Sequence, residues 1–233
     1  MARLFNLLLS CVAMLLFVLS TIGCTILLFV ASKNQRKKIP TLWAKSFIFL
    51  FRIRLRVDGL ENIPPQGSLY IYNHSSNADP FAVLAAVPRN LRMGAKKELS
   101  KVPMLGKGMS LGGTVWIDRS NREAVLQSYR AIYGEVRGGD NFVLAPEGTR
   151  QSKEFPLGEF KMGPFIFATE AKVPLVAVVL KGSFSLWPRS HLFPQFGHVI
   201  AVKICPPLET EGTSVEELKV KAKATMEEAY RKL

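Results

Sequence analysis

Leu69-Tyr70-Ile71-Tyr72-Asn73-His74-Ser75-Ser76-Asn77-Ala78-Asp79-Pro80 holds the change of rhythm that decides the fold. Its first four residues are apolar or aromatic, the make-up of a short buried strand, and the turn-rich Ile63-Pro64-Pro65-Gln66-Gly67 leads into them. Asp79-Pro80 reads as a helix start, with aspartate as N-cap and proline as first helical residue. A helix over 81–87 then ends at Pro88. The alternation recurs downstream. Strands are expected over 92–95, 114–117, 141–145, 175–180 and Val199–Ile204. Helices are expected over 122–136 and 165–172, and the capping box Ser214-Val215-Glu216-Glu217 opens a last one. Such alternation predicts an α/β fold, a mixed and largely parallel sheet flanked by helices.

Upstream the character changes. Residues 5–31 hold no charged side chain. As a helix rising ~1.5 Å per residue they would be about 40 Å long, more than a ~30 Å hydrocarbon core requires. A cleaved signal peptide has an apolar region of only ~7–15 residues, so this segment is expected to stay in the membrane. Lys33, Arg36, Lys37 and Lys38 follow it, against Arg3 alone before it. The positive-inside rule therefore puts the rest of the chain in the cytoplasm, at the inner membrane. A second apolar stretch, 41–51 with Trp43, precedes Arg52, Arg54 and Arg56, a pattern suited to a helix lying along headgroups. The first helix of a soluble domain fits the same pattern. The division expected is 1–56 for anchor and interfacial helix and 57–233 for the α/β domain.

A net charge of +13 calls for an anionic partner. With such an anchor, an anionic membrane surface and a phosphorylated substrate meet the need. No basic patch interleaved with aromatics suggests nucleic acid. Cys11, Cys24 and Cys205 have neither metal-ligand spacing nor the makings of a disulfide framework.

Four segments place polar residues at the ends of expected strands, where sites gather in open α/β sheets. The small, polar loop between His74 and Asp79 lets the carboxylate turn back on the imidazole. A carboxylate on one ring nitrogen fixes the tautomer and leaves the other nitrogen to accept a proton, as a general base does. Spacing alone fits a helix-capping aspartate beside an incidental histidine as well. No third ligand lies near in sequence, and no metal is expected. Pro146-Glu147-Gly148-Thr149-Arg150 follows a buried strand; its glycine permits close backbone approach and Arg150 offers a planar fork for phosphate oxygens. Gly113-Thr114-Val115-Trp116-Ile117-Asp118-Arg119 places Asp118 and Arg119 at a strand end, offering a further cation or else a structural ion pair, and Ala95-Lys96-Lys97-Glu98-Leu99 puts lysines at another.

These segments, in this order, resemble the phospholipid-synthesis acyltransferase family that includes 1-acylglycerol-3-phosphate acyltransferases. The family's Asn-His-x-x-x-x-Asp is met by Asn73, His74 and Asp79. Its Gly-x-x-Phe-Ile-Asp-Arg is matched at 113–119 with Trp116 for Phe, and its Phe-Pro-Glu-Gly-Thr-Arg at 146–150 with Ala145 for the aromatic. Val173-Pro174-Leu175-Val176 meets the fourth motif, with Ala177 for its final proline, and Phe160-Lys161-Met162-Gly163 resembles Phe-Lys-x-Gly. The resemblance covers residues 57–205. It implies a glycerolipid acyltransferase-like catalytic domain with an N-terminal membrane helix or two-helix motif. It implies acyl transfer from a thioester of coenzyme A or acyl carrier protein to a lysophospholipid hydroxyl, with no cofactor. His74 would be the base, Asp79 its orienter, and Lys96, Arg119, Glu147, Gly148, Thr149 and Arg150 the acceptor-binding set. Glycerol-3-phosphate or another lysolipid remains open as acceptor. A non-catalytic lipid-binding protein would explain charge and anchor but not the register of the motifs.

Overall fold

The computed structural model describes residues 2–102 and 105–233, and among them the side chains of 2–5 and 105 are outside the description. Arg3, part of the charge asymmetry, is among those side chains. The chain opens with α1 (Ala2–Val30), a short α2 (Lys33–Arg36) at the basic hinge, and α3 (Ile39–Leu50). The sheet domain follows as β1 (Arg54–Asp58), β2 (Leu69–Tyr72), α4 (Asp79–Ala86), β3 (Leu91–Lys96), α5 (Leu105–Leu111) and β4 (Val115–Ile117). Next come α6 (Arg122–Arg130), α7 (Tyr133–Arg137), β5 (Asn141–Leu144), α8 (Gly163–Ala171), β6 (Leu175–Lys181) and α9 (Ser183–Leu186). β7 (Val199–Ile204) and α10 (Val215–Lys232) complete it.

Seven strands form one sheet in the order β1-β7-β6-β2-β5-β3-β4. β6, β2, β5, β3 and β4 run parallel; β7 is antiparallel to β6, and β1 pairs parallel with β7. The expected mixed, largely parallel sheet is thus present. Its two faces bury alternate residues, as a period of two dictates. Leu69, Ile71, Phe142, Leu144, Leu175 and Ala177 face one core with α6, α7, α8 and α10. Tyr70, Tyr72, Val143, Val176 and Val178 face the other with α1, α3 and α4. Both faces are covered, which is why the central strands read as continuous apolar runs rather than as alternation.

Three expectations change. β1 starts at Arg54, so the sheet begins ahead of the division drawn between 56 and 57. Arg54 and Arg56, read as headgroup anchors, lie on the exposed side of an edge strand and alternate with the half-buried Leu55 and Val57. The helix expected over 122–136 is two, because the chain leaves helical geometry at Ile132 (φ −117°, ψ 1°), and Ile132, Tyr133 and Val136 are buried around that break. Asp79 does not cap its own helix. Ala78 is the N-cap, without a side-chain bond, and Asp79 is already helical.

The N-terminal helices form a hairpin packed on the sheet domain. Trp43 Nε1 donates to Thr21 Oγ1 at 2.9 Å and Ser20 Oγ donates to Ser46 Oγ at 2.8 Å. Phe47, fully buried, stacks on Phe81 of α4 and on Trp187, and Phe17 of α1 packs edge-on to both Phe47 and Phe81. One face of α3 is buried on the domain, as in the first helix of a soluble domain, while Leu42 and Phe49 on the other stay exposed.

Candidate active site

Parallel pairing brings the carboxyl ends of β2, β5, β3 and β4 to one edge, and the four polar segments gather there. Asn73 fixes how the chain leaves β2. Its side chain donates to the Leu180 carbonyl at 2.9 Å and accepts from the Leu180 amide at 2.8 Å, extending the ladder to β6 by a side chain. His74 is the next residue. Its ring lies edge-on to Tyr72, with centroids 5.6 Å apart.

Asp79 is fully buried and turned back over the loop. Its Oδ2 takes three donors: His74 Nδ1 at 2.9 Å, the Ser75 amide at 2.8 Å and the Ser76 amide at 2.7 Å. Oδ1 has no partner among the described residues. The residue was expected to cap its helix; it caps the loop instead, because the two amides and the imidazole converge on one oxygen. A carboxylate there holds the proton on Nδ1 and leaves Nε2, which makes no hydrogen bond among the described residues, as the acceptor. Burial pushes the neighbouring Tyr72 hydroxyl far above its ordinary range, and the Asp79 charge adds to the shift.

Glu147 does a similar service for the backbone. It is 2% exposed. Its Oε1 accepts from the His74 amide at 2.7 Å and its Oε2 from the Gly158 amide at 3.1 Å. Burial pushes its carboxyl above the usual range, against the two amides that favour the ionised form. Both oxygens are thus engaged with the chain, so Glu147 ties the loop after β5 to the backbone of His74 rather than facing solvent. The Gln151 amide completes the tie by donating to the His74 carbonyl at 2.8 Å.

Gly148 takes φ +71°, where a side chain is strained, and its carbonyl accepts from Arg119 Nη1 at 2.8 Å. Arg150 Nη1 donates to Asn77 Oδ1, linking the same loop to the segment between His74 and Asp79. Thr149 is exposed. Arg119 and Arg150 are therefore brought to the histidine's neighbourhood by named contacts. Lys96 stands at the end of β3, 56% exposed, its Nζ 3.7 Å from Glu98, with no hydrogen bond to the rest of the site among the described residues. Lys97 beside it pairs with Asp118 at 2.9 Å, so Asp118 is in an ion pair with Lys97 and not with Arg119; that bond holds the Asp118 carboxyl well below the ordinary carboxylate range.

Sequence reasoning missed three contributors. Gly158 comes close enough that a Cβ would stand 2.6 Å from Glu147 Oε2, and nothing in Pro156-Leu157-Gly158 signals this. Tyr72 looked like a plain strand residue. Asn77, inside the His–Asp loop, was treated as a spacer.

Comparison with known proteins agrees with this geometry. The model of the family described as Acyltransferase matches residues 54–181, more than half of the chain, from the first residue of β1 to the last of β6. The 1-acyl-sn-glycerol-3-phosphate acyltransferase of Saccharomyces cerevisiae is 28% identical over 86% of this chain and 66% of its own length. That of Limnanthes douglasii is 32% identical over 73% of this chain and 60% of its own. The chain thus spans no more than about two thirds of these relatives. The crystal structure of the 1-acyl-sn-glycerophosphate (LPA) acyltransferase PlsC from Thermotoga maritima superposes with a TM-score of 0.84 at 23% identity, covering 100% of this chain and 97% of that one, a likeness of fold. With the matched region running from β1 to β6 and the His–Asp, Asp–Arg and Glu-Gly-Thr-Arg segments at the carboxyl edge of the sheet, this chain belongs to the acyltransferase family.

Proposed function

We propose that the protein transfers an acyl group from an acyl thioester, of coenzyme A or acyl carrier protein, to the sn-2 hydroxyl of 1-acylglycerol-3-phosphate, forming phosphatidic acid. One observation carries the reading: a buried carboxylate bonded to His74 Nδ1 at 2.9 Å, beside two arginines from neighbouring strand ends. His74 Nε2 takes the proton of the acceptor hydroxyl as its oxygen attacks the thioester carbonyl. The thiolate leaves and recovers that proton from the imidazolium, so ester and free thiol are the products. Asp79 stabilises the imidazolium between the two steps. Arg119, Arg150 and the exposed Lys96 receive the acceptor's phosphate, Arg119 and Arg150 through planar forks. Glu147, Gly148 and Thr149 shape that loop. The thioester supplies the activated acyl group, so no metal or organic cofactor enters the reaction.

The hairpin brings this edge to lipid. α1 is long and apolar enough to cross a membrane, yet most of it is not buried in the protein. Ala13, Phe17, Cys24 and Leu28 pack inward, while Leu15, Leu19, Ile22, Ile26 and Phe29 face out. Burial begins at Ser10, and the part of α1 ahead of it is roughly 12 Å long, less than half a ~30 Å hydrocarbon core. That supports a hairpin sunk in the cytoplasmic leaflet of the inner membrane, with the catalytic edge facing the cytoplasm.

The test is release of free thiol from acyl-coenzyme A or acyl carrier protein on adding lysophosphatidate to the protein in vesicles. His74→Ala should lower the rate at least ~10²–10⁴-fold, the worth of a positioned base. Undiminished release from that variant would remove His74 from the mechanism.

A further inference from the structure

At the opposite end of the sheet a second site is built that catalysis does not use. A cleft of about 690 Å³ lies between the base of the hairpin and the turns that precede β3 and β5. Lys37, Lys38 and Lys45 line it from the hairpin and Arg89 from the domain, with Asp140 the single carboxylate. Asp140 is already engaged, by Lys37 at 2.7 Å and Arg92 at 3.4 Å. Neither Lys38 nor Lys45 has a carboxylate partner among the described residues, and both are exposed. The remaining wall is mixed, with Leu42, Val87 and Pro88 beside Thr41, Asn90 and Asn141. Leu42, 53% exposed, borders the cations, and Phe49, two turns along the same outer face of α3, is 80% exposed. The turns that line the cleft feed the amino ends of β3 and β5, so the full length of the strands separates it from His74.

We propose that this cleft holds the phosphate of an anionic phospholipid. Unpaired cations at one end of an exposed apolar track match a molecule with a charged head and hydrocarbon tails, whereas free phosphate would leave Leu42 and Phe49 without purpose. A headgroup between the unpaired Lys38 and Lys45 and Arg89, whose Nη2 already donates to the Pro64 carbonyl at 2.8 Å, touches hinge, α3 and sheet domain at once. Bound lipid therefore fastens the hairpin to the domain that carries the site. This inference does not rest on the reaction proposed above, since it is read from binding.

The full chain is partitioned onto phosphatidylcholine vesicles carrying increasing phosphatidylglycerol. Lys38→Ser/Lys45→Ser should lose roughly ten- to thirtyfold of the affinity gained from the anionic lipid, the scale set by two basic residues near such a surface. Lys38→Arg/Lys45→Arg should keep the gain, which separates lost charge from lost folding. Lys172→Asn/Lys221→Ser makes the same charge change away from the cleft and should lose little. Lysophosphatidate-dependent thiol release in neutral micelles should be unchanged in the first pair, so failure of the catalytic reading shows separately. Equal losses from the Lys38/Lys45 and Lys172/Lys221 pairs would mean diffuse charge and overturn the site. So would inorganic phosphate abolishing the gain at lipid-equivalent concentration, which would assign the cleft to the free ion.

Discussion

Asp79 and Glu147 are buried and hold every donor near them, whereas Lys96, Lys97 and Arg119, at neighbouring ends of the same sheet, are exposed and hold few. The difference follows from what each group serves. A carboxylate that sets a tautomer and the line of a backbone must be fixed, and burial with several donors fixes it. A cation awaiting a phosphate must be wet and free to follow it. The contrast can be attacked from the buried side first. Because three donors meet at Asp79 Oδ2, an asparagine carbonyl can take that place and keep the loop and the Nδ1 proton, but not the charge. Asp79→Asn should therefore stay folded, with little change in Tm, while kcat falls roughly 10²–10³-fold. Asp79→Ala strands two buried amides as well, at about 1–3 kcal/mol each, and should lower both Tm and kcat. Equal activity in Asp79→Asn and wild type would show that only loop geometry, not charge, is at work.

The Glu147 tie gives the next effect. A methyl on Gly158 would meet Glu147 Oε2 at 2.6 Å and Gln151 Cδ at 2.5 Å, so the carboxylate must shift and pull on the His74 amide. Gly158→Ala should lower kcat roughly ten- to a hundredfold, as displacements near 1 Å do, with KM for the thioester nearly unchanged. Gly134→Ala, where a Cβ meets nothing within 4 Å, is the matched control and should leave both constants as they are. A kcat for Gly158→Ala equal to that control's would show that Glu147 does not position His74.

How much of this was legible in the sequence divides along the same line. The sheet, the end of β2 just ahead of His74 and the four polar segments at strand ends follow from local patterns, because strands buried on both faces leave continuous apolar runs and their ends leave polar ones. The roles of the buried carboxylates do not. Asp79 before a proline has the local look of an N-cap, and only the folded loop shows that two amides and an imidazole outbid the helix for its oxygen. Glu147 sits in a segment that reads as ligand-facing, yet its partners are distant in sequence and invisible to spacing. β1 was missed for another reason. Arg54-Leu55-Arg56-Val57 does alternate, but arginines beside an apolar helix also fit a membrane border, and the pairing with β7 that decides between them is remote in sequence.

On the exposed side the effects should be smaller and fall on binding. Arg150 sits half-buried with its guanidinium on Asn77, and in the proposed reaction its fork receives the acceptor's phosphate. Arg150→Ala should raise KM for lysophosphatidate roughly ten- to a hundredfold, the range for a lost hydrogen bond to a charged group, with kcat within a few-fold. Arg150→Lys should recover little of it, since a point charge replaces the fork. Unchanged KM with lost kcat would place Arg150 in the chemical step.

Lys97 marks where the site ends. Its ammonium is committed to Asp118, and the Asp118 carboxyl, which also accepts from the Ser120 amide at 3.0 Å, is held below its ordinary range chiefly by that bond. A depressed carboxyl contributes stability above its unfolded pKa and loses it as the pH falls towards the folded value. Both partners are solvent-exposed and screened, so the contribution is small. Lys97→Ser should let the Asp118 titration move up towards that of a free aspartate, followed by NMR of its side chain, with Tm at neutral pH and KM for lysophosphatidate nearly unchanged. A KM rise matching that of Arg150→Ala would instead make Lys97 a phosphate ligand and break the division between committed and waiting cations. Lys96, one residue earlier and with only a weak contact to Glu98 among the described residues, then supplies the internal comparison: Lys96→Ser should raise KM where Lys97→Ser does not.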